Sequence, residues 1–252
     1  MQASEFAGQV VLVTGAASGI GRCAALAFAE RGAAVVVADV DEEGGALVAE
    51  AIVRDGGEAL AVRVDVSDVE QIEAMIARTI GHFGRLDIGV NNAGVGGTGI
   101  EDPWDPENFD RVMAVNARSV FHCMRHETAQ MVKQGGGAIV NSASVAGLVG
   151  VGSFAYSASK HAIVGMTRTA AIHYARQNIR INAIAPSAID TAMVQRAIQI
   201  DAEVGSALIA MNPNGRIGRP EEAADAILWL CSRGAGMING HILPIDGGFT
   251  AR

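Results

Sequence analysis

The sequence predicts an α/β fold, in which a doubly wound, mostly parallel sheet of seven strands carries helices on both faces in a single domain, residues 1–252. Short apolar runs rich in β-branched residues alternate with longer amphipathic stretches, beginning with residues 10–13. Because these runs are apolar at every position, we expect helices to cover both faces of the sheet. The alternation of strand and helix favours right-handed crossovers and double winding.

The same pattern places each element along the chain. Strands are predicted at residues 10–13, 35–37, 59–64, 88–91, 138–141, 180–184 and 242–245. Helices are predicted at residues 20–31, 42–55, 69–81, 106–131, 156–176 and 221–230. Residues 187–219 lack clear strand character and are too many for an idle connection. We expect a substrate-binding loop with helical pieces at about 187–219.

Composition narrows the class of protein. The chain is 50% hydrophobic and 18% charged and contains 31 glycines, which suits a soluble globular domain. A formal net charge of -8 without a cluster of Lys or Arg argues against a nucleic-acid or anionic-membrane partner. No apolar stretch approaches the roughly 18 residues of a membrane span, and no targeting segment is recognised. We therefore expect a cytoplasmic location.

A glycine-rich turn follows the first predicted strand and leads directly into the first helix. Glycines let the backbone turn sharply and approach a pyrophosphate, while the free N–H groups and the positive end of the helix attract its charge. The spacing Gly-x-x-x-Gly-x-Gly is weak evidence alone, but its place between strand and helix indicates a dinucleotide site. The candidate cofactor-binding residues here are Gly15, Ser18, Gly19, Ile20 and Gly21.

Asp39 ends the second predicted strand and indicates which dinucleotide is bound. A carboxylate at this place accepts hydrogen bonds from the adenosine ribose hydroxyls and repels the 2′-phosphate of NADP. Neither Ser18 nor Val40 supplies the cation that usually neutralises this phosphate. NAD is therefore the predicted cofactor. The alternative is that Asp39 only caps the helix that follows it.

Tyr156 and Lys160 open another predicted helix and lie four residues apart, which places both side chains on one face. A tyrosine with a pKa near 10 is a poor base at neutral pH, but a neighbouring cation stabilises the phenolate. We therefore expect Lys160 and the nicotinamide cation to lower the pKa of Tyr156. The Tyr-x-x-x-Lys pattern is common by chance, so it needs support from other motifs.

Other motifs supply that support. With them, the chain resembles the short-chain dehydrogenase/reductase family, of compact type, over nearly its whole length. The motifs stand in family order and at family spacing, which makes the resemblance specific. They are the turn Thr14–Gly21, Asp65-Val66, Asn91-Asn92-Ala93-Gly94, Asn116, Ser144, Tyr156 with Lys160, Pro186, Thr191 and Asp246-Gly247-Gly248.

The resemblance implies a role for each catalytic residue. Tyr156 exchanges a proton with the substrate oxygen, and Ser144 orients that oxygen. Lys160 lowers the pKa of Tyr156 and binds the nicotinamide ribose, while Asn116 holds a water that links Lys160 to solvent. The further cofactor-binding residues it implies are Asp65 and Val66 at the adenine, Asn92 and Gly94 along the dinucleotide, Pro186 beside the nicotinamide, and Ile189 with Thr191 at the carboxamide.

The sequence departs from the family pattern after Pro186, where Ser187 replaces the usual glycine. Serine there needs a compatible backbone angle and would otherwise alter the loop beside the nicotinamide. A second serine, Ser142, also lies close to the expected catalytic position. Only Ser144 aligns with the family's catalytic serine, although strand alternation would point both side chains the same way.

These features predict an NAD-dependent oxidoreductase that transfers a hydride between NAD and a small, neutral, apolar or cyclic secondary alcohol or ketone. An NADP-dependent carbonyl or 3-oxoacyl reductase is one alternative. A non-catalytic NAD-binding sensor or scaffold is the other, although it would have no use for a proton relay. The substrate class rests on apolar side chains. The residues expected to face the substrate, most of them apolar, are Val95, Thr98, Ala146–Val149, Met193, Ile198, Leu208 and Met211.

The resemblance also implies a homotetramer. The helices that begin at Pro106 and Tyr156 would form one interface, and residues 242–249 another. We expect no metal site, because His122 and His126 are four residues apart on a helix but have no third ligand nearby. Polar contacts at a subunit interface are the alternative role for these two histidines.

Overall fold

A sheet of seven parallel strands forms the centre of the protein. The computed structural model describes residues 5–96, 102–200 and 202–251. Neighbouring strands lie in the order β3-β2-β1-β4-β5-β6-β7, which confirms the predicted fold class. The strands are β1 Val10–Thr14, β2 Ala34–Asp39, β3 Glu58–Arg63, β4 Ile88–Asn91, β5 Gly137–Ser142, β6 Ile179–Pro186 and β7 Ile242–Ile245.

Helices connect these strands. They are α1 Gly19–Glu30, α2 Glu42–Arg54, α3 Val69–Phe83, α4 Pro106–Val112, α5 Ser119–Gln134, α6 Phe154–Tyr174, α7 Ala192–Ile200, α8 Ala202–Met211 and α9 Pro220–Cys231. Within the described residues, no helix is both long and apolar enough to cross a membrane.

The prediction of one continuous helix at residues 106–131 is wrong. A π-helical segment, Met113–Arg118, interrupts it and separates α4 from α5. A π-helical turn takes in one extra residue, and the apolar pattern of the sequence carries no mark of it. Such segments are frequent at functional sites, and this one contains Asn116.

Alternating residues of β1 explain why the predicted strands are apolar throughout. Leu12 points into a core formed with α3, α5 and α6, and Val11 and Val13 point into a second core formed with α1, α2 and α9. All three side chains are fully buried. Helices therefore cover both faces, as the sequence predicts.

The strand order reverses between β1 and β4, and in such a sheet a crevice opens at the carboxyl ends of the strands. Residues 187–219 leave β6 at this edge, carry α7 and α8, and return to α9. A short parallel bridge joins Ile189 to Gly218 at their base. There the Asp190 N–H donates to the Gly218 carbonyl at 2.8 Å, and the Gly218 N–H donates to the Ala188 carbonyl at 2.9 Å. These bonds join the beginning and the end of the loop to each other.

Candidate active site

The glycine turn leaves no room for added side-chain atoms. Gly15 has φ +65°, and a Cβ there would lie 2.8 Å from the Ala93 Cα. A Cβ on Gly21 would meet the Gly15 carbonyl oxygen and would lie 2.6 Å from Asn92 Nδ2. Because Gly15 and Gly21 have no side chain, the turn can approach the loop after β4 closely at the crevice.

The start of α1 has the features of an anion-binding helix end. Ser18 occupies the N-cap position in an extended conformation, and its side chain makes no capping hydrogen bond. The first turn contains no acidic residue that would compete with a phosphate. Backbone N–H groups and the positive end of the helix dipole are therefore available to a pyrophosphate, which fits a dinucleotide.

Asp39 lies against the glycine turn. Its Oδ2 accepts a hydrogen bond from the Ala17 N–H at 2.8 Å, and its Oδ1 accepts one from the Asp41 N–H at 3.0 Å. The cap of α2 is Asp41, whose side chain accepts from the Gly44 N–H. The alternative capping role for Asp39 is therefore wrong. Each carboxylate oxygen keeps a lone pair for a ribose hydroxyl.

The turn after β3 brings the two residues expected at the adenine to the same edge of the sheet. Asp65 Oδ1 accepts hydrogen bonds from the Ser67 N–H at 2.9 Å and from the Ser67 hydroxyl at 2.7 Å. Val66 is buried. Arg118 holds this turn by donating to the Ser67 carbonyl at 2.9 Å. The adenine contact itself stays a prediction.

Asn116 fixes the loop that follows β4. Its side chain is fully buried. Its Oδ1 accepts from the Val95 N–H at 2.8 Å, and its Nδ2 donates to the Val95 carbonyl at 3.0 Å. A Cβ on Gly94 would lie 3.3 Å from Asn116 Oδ1 and 3.6 Å from Lys160 Nζ. Three of the residues predicted from the sequence therefore converge here.

The two candidate serines point to different partners. Ser144 Oγ accepts from the Ala146 N–H at 3.2 Å, donates to the Pro186 carbonyl at 3.3 Å and hydrogen-bonds Tyr156. Ser142 Oγ instead donates to Asn92 Oδ1 at 3.1 Å. Strand alternation does not extend to Ser144, because β5 ends at Ser142, and the two hydroxyls have different partners. The hydroxyl beside Tyr156 is that of Ser144.

Tyr156 and Lys160 lie together on α6, as their spacing predicts. Lys160 Nζ is 5.4 Å from the centre of the Tyr156 ring and donates to the Ser142 carbonyl at 2.8 Å. Burial lowers the pKa of the Lys160 ammonium to about 8. Helix α6 begins at Phe154 because Ser153 caps it, accepting from the Tyr156 N–H at 3.4 Å.

The expected lowering of the Tyr156 pKa is not found in the protein chain itself. Burial raises the pKa of Tyr156 above its usual range, and the hydrogen bond with Ser144 opposes this only in part. Burial destabilises the charged phenolate, and Lys160 Nζ donates to a backbone carbonyl rather than to the phenol oxygen. The expected lowering also counted on the nicotinamide cation, which belongs to the cofactor and not to the chain.

Ser187 does not strain the loop after β6. Among the described residues other than glycine, only Asn178 has a positive φ. The Ser187 N–H donates to the Ile245 carbonyl at 3.1 Å. Further along, the Thr191 side chain reaches the glycine turn, because a Cβ on Gly19 would lie 3.1 Å from Thr191 Cγ2. Serine is therefore compatible with this backbone.

The residues expected to face the substrate are mostly at the same edge of the sheet. Ala146 is buried in the turn after β5, whereas Val149 and Met193 are 36% and 42% exposed. Thr98 lies outside the described residues.

In the described part of the chain, no three of His, Cys, Asp and Glu come together as metal ligands. Burial, followed by the charge of Arg125, lowers the pKa of His122, which favours its neutral form.

Two buried hydroxyls of the site escaped the sequence-based prediction. Ser159 is fully buried, accepts from Asn116 Nδ2 at 3.1 Å and donates to the Tyr156 carbonyl at 2.7 Å. It lies on the buried face of α6, immediately before Lys160. That position in the sequence could have identified Ser159 as a residue of the site. Ser142 was considered only as a rival of Ser144, and its link to Asn92 had no mark in the sequence.

This combination of an uncapped glycine turn, a carboxylate at the end of β2 and a buried Ser-Tyr-Lys cluster defines a dinucleotide-dependent oxidoreductase. Comparison with known proteins agrees. Residues 15–250 match the family model described as Enoyl-(Acyl carrier protein) reductase. The chain belongs to the short-chain dehydrogenase/reductase family, whose members use nicotinamide dinucleotides, and it acts on CH–OH groups.

Individual relatives match over nearly their full length. The chain is 41% identical to 2,5-dichloro-2,5-cyclohexadiene-1,4-diol dehydrogenase of Sphingobium indicum, covering 98% of this chain and 99% of the relative. It is 35% identical to cyclohexanol dehydrogenase of Acinetobacter sp., covering 100% of this chain and 99% of the relative. The crystal structure of levodione reductase superposes with a TM-score of 0.93 at 39% identity, covering 98% and 99% of the two chains.

Proposed function

We propose that this protein is an NAD-dependent dehydrogenase of neutral cyclic secondary alcohols, with Tyr156 as the general acid/base. The observation that carries the proposal is the convergence of Ser144, Tyr156 and Lys160 beside the glycine turn. A serine and a tyrosine hydroxyl that share a hydrogen bond can both bind one substrate oxygen. Burial raises the Tyr156 pKa in the chain itself, so the charges of Lys160 and of the bound nicotinamide would together favour the ionised tyrosine during the reaction.

In the proposed reaction, the dinucleotide supplies the hydride acceptor for alcohol oxidation. The Ser144 hydroxyl holds the substrate oxygen, and Tyr156 accepts the hydroxyl proton. Lys160 stabilises the phenolate, and its own pKa of about 8 lets it exchange a proton near neutral pH. Asn116 keeps the loop at Val95 in place and, as the resemblance implies, holds a water that connects Lys160 to solvent.

Asp39 supports NAD as the cofactor rather than NADP. Its carboxylate is held beside the turn by the Ala17 N–H, where it would accept from ribose hydroxyls and repel a 2′-phosphate. The remaining residues proposed to contact NAD lie at the same edge of the sheet. They are Gly15, Ser18, Gly19, Ile20, Gly21, Asp65, Val66, Asn92, Gly94, Tyr156, Lys160, Pro186, Ile189 and Thr191.

Two observations support a cyclic substrate. The relatives described above include a cyclohexadienediol dehydrogenase and a cyclohexanol dehydrogenase. The residues predicted to face the substrate, among them Ala146, Val149 and Met193, are mostly apolar and suit a ring held mainly by shape. We infer that rings are better substrates than sugar alcohols or hydroxy acids.

The matching family model, named for an acyl-carrier-protein reductase, keeps an NADP-dependent reductase as the second candidate. Asp39 disfavours it, since a like charge against the 2′-phosphate costs several kcal/mol. A non-catalytic NAD sensor is the third, and the intact cluster of Ser144, Tyr156 and Lys160 disfavours it.

We further propose that the chain forms a homotetramer and that it is cytoplasmic. An open, mostly apolar groove runs along α4, the π-helical segment, the start of α5 and α6. It is lined by Met113, Ala114, Ala117, Phe121, Ala162 and Met166, together with the charged Asp110, Arg111 and Arg118. Phe121 is 53% exposed there, and Trp104, which packs on Phe154 at the start of α6, is 75% exposed. A second copy of the chain packing on this face would cover these side chains.

The test measures NADH absorbance while NAD or NADP is offered with cyclohexanol, a sugar alcohol or a hydroxy acid. We expect kcat/KM to be highest for cyclohexanol. We expect it to favour NAD over NADP by at least about thirtyfold, which corresponds to about 2 kcal/mol. Equal use of both cofactors would contradict the role of Asp39, and a preference for the charged substrate would contradict the apolar pocket. Binding of NAD without turnover of any alcohol would favour the sensor.

A further inference from the structure

Ser142 connects two parts of the site that come from different strands. It is the last residue of β5 and is 7% exposed. Its hydroxyl donates to Asn92 Oδ1 at 3.1 Å, and its backbone carbonyl accepts from Lys160 Nζ at 2.8 Å. One residue thus contacts both the loop after β4 and the catalytic helix.

The direction of the bond to Asn92 follows from the other contacts of this amide. Asn92 Nδ2 donates to the backbone carbonyls of Thr14 and Gly15, each at 3.2 Å. Because only the amide nitrogen can donate to those carbonyls, the amide oxygen must face Ser142. The Ser142 hydroxyl is then the donor.

Asn92 in turn determines the shape of the glycine turn. Its Nδ2 lies 2.6 Å from the place where a Cβ on Gly21 would stand, so the amide fills the space that the missing side chain leaves. Its backbone N–H donates to Thr14 Oγ1 at 3.0 Å. The amide is therefore bonded to the end of β1 and packs against Gly21 in the first turn of α1.

We propose that Ser142 is a positioning residue for the cofactor: its hydroxyl fixes the Asn92 amide and, through it, the turn Thr14–Gly21 that binds the pyrophosphate. This rests on the proposed function in that the turn binds a nicotinamide dinucleotide. Its effect falls on binding and not on the chemical step. Lys160 is held by the Ser142 backbone carbonyl, which any residue at this position would provide.

The experiment compares Ser142→Ala with Ser142→Thr, which keeps the hydroxyl. The matched control is Ser232→Ala, since Ser232 is 6% exposed and its hydroxyl hydrogen-bonds the Gly234 N–H at 3.1 Å, after α9. The measurements are the NADH dissociation constant by fluorescence titration, kcat with cyclohexanol, and amide hydrogen exchange of residues 14–21 without cofactor. Circular dichroism confirms that each variant is folded.

For Ser142→Ala we expect the NADH Kd to rise about fivefold to tenfold, the loss that one buried hydrogen bond predicts. The value of kcat should stay within about twofold, because Ser144 and Tyr156 are untouched. Exchange in residues 14–21 should be faster, because the turn has lost a support. Ser142→Thr should bind NADH as the wild type does, and Ser232→Ala should leave Kd unchanged.

Unchanged Kd and unchanged exchange in Ser142→Ala would overturn the proposal. A loss of kcat as large as that of Ser144→Ala would also overturn it, because Ser142 would then act on the substrate. If the wild type binds no NADH, the proposed function fails and the cofactor role of Ser142 fails with it. Exchange of residues 14–21 reports on the bond between Ser142 and Asn92 without any cofactor, so the two failures are distinguishable.

Discussion

The two sides of the crevice are built in different ways. On the side of β1 and β2, backbone groups and glycines form the surface, and Asp39 is the charged side chain that shapes it. On the side of β4, β5 and α6, buried side chains bond to one another, as Asn116 does to Ser159. The first side is sensitive to added atoms, and the second to the loss of a single hydroxyl, amide or ammonium group. Substitutions on the two sides should therefore fail in different ways.

The largest expected effect is on the catalytic side. Tyr156→Phe removes the hydroxyl that exchanges the substrate proton and leaves the ring in place. We expect kcat to fall at least about a hundredfold, the low end for loss of a general acid/base, with the NAD dissociation constant nearly unchanged. Stopped-flow absorbance and NADH fluorescence titration measure the two quantities. A Phe variant that retains most of its turnover would show that another group carries the proton.

On the cofactor side, Gly21→Ala should produce the opposite result. Its Cβ would collide with the Gly15 carbonyl oxygen and the Asn92 amide, so the turn must shift. We expect the NADH Kd to rise at least about tenfold, because a displaced turn no longer presents its N–H groups to the pyrophosphate.

The matched control for this variant is Gly81→Ala in α3, where an added Cβ would meet no atom within 4 Å. Alanine stabilises a helix interior by roughly 0.5–1 kcal/mol relative to glycine, so this variant should melt no lower than the wild type and bind NADH equally well. Equal NADH affinity for the Gly21 and Gly81 variants would refute the idea that close backbone packing shapes the cofactor side.

This contrast also explains what could be predicted from the sequence. The strands, the glycine turn and the position of Asp39 at the end of β2 follow local rules of periodicity and turn chemistry, and the fold class was confirmed. The pair Tyr156 and Lys160 was found because both lie on one helix face. These features depend on neighbours within a few residues, and single-sequence patterns record such relations.

The parts that were wrong depend on residues far apart in the chain. The partner of Ser142 is Asn92, fifty residues away, and no local pattern encodes that pair. The π-helical segment at Asn116 leaves the apolar pattern unchanged. The pKa of Tyr156 was expected to fall because of two charges, that of Lys160 and that of the nicotinamide, whereas in the chain itself burial by the whole site raises it.

Glu127 is a buried ionisable residue that the proposed reaction does not use. Glu127, on α5, is fully buried against Gly89, and its Oε2 accepts from Asn91 Nδ2 at 3.0 Å. Its Oε1 has no hydrogen-bond partner. Burial raises the pKa of this carboxyl from 4.5 to about 7, and the bond from Asn91 opposes the rise only in part. Glu127 should therefore carry a proton at mildly acidic pH.

Substitution of Glu127 should have the smallest effect on activity. Its effect on stability should be clear. Between pH 4.5 and about 7 the folded protein keeps the proton that the unfolded chain releases, so the Glu127 contribution to stability falls as pH rises through this window. A shift of this size is worth up to about 3 kcal/mol, since one pKa unit corresponds to about 1.4 kcal/mol. Glu127→Gln cannot ionise and should lose this pH dependence.

Urea unfolding at pH 5 and pH 8 would measure the effect. The free energy of unfolding of Glu127→Gln, relative to the wild type, should be higher at pH 8 than at pH 5 by up to about 3 kcal/mol. Glu50→Gln, at an exposed position on α2, is the control and should show no such difference. Turnover at pH 7 should be unchanged, because Glu127 contacts Gly89 and Asn91 within β4 and has no shown contact with Ser144 or Tyr156. If the two variants respond to pH alike, Glu127 is already ionised in the folded protein, and the bond from Asn91 would have to stabilise an unpaired buried charge.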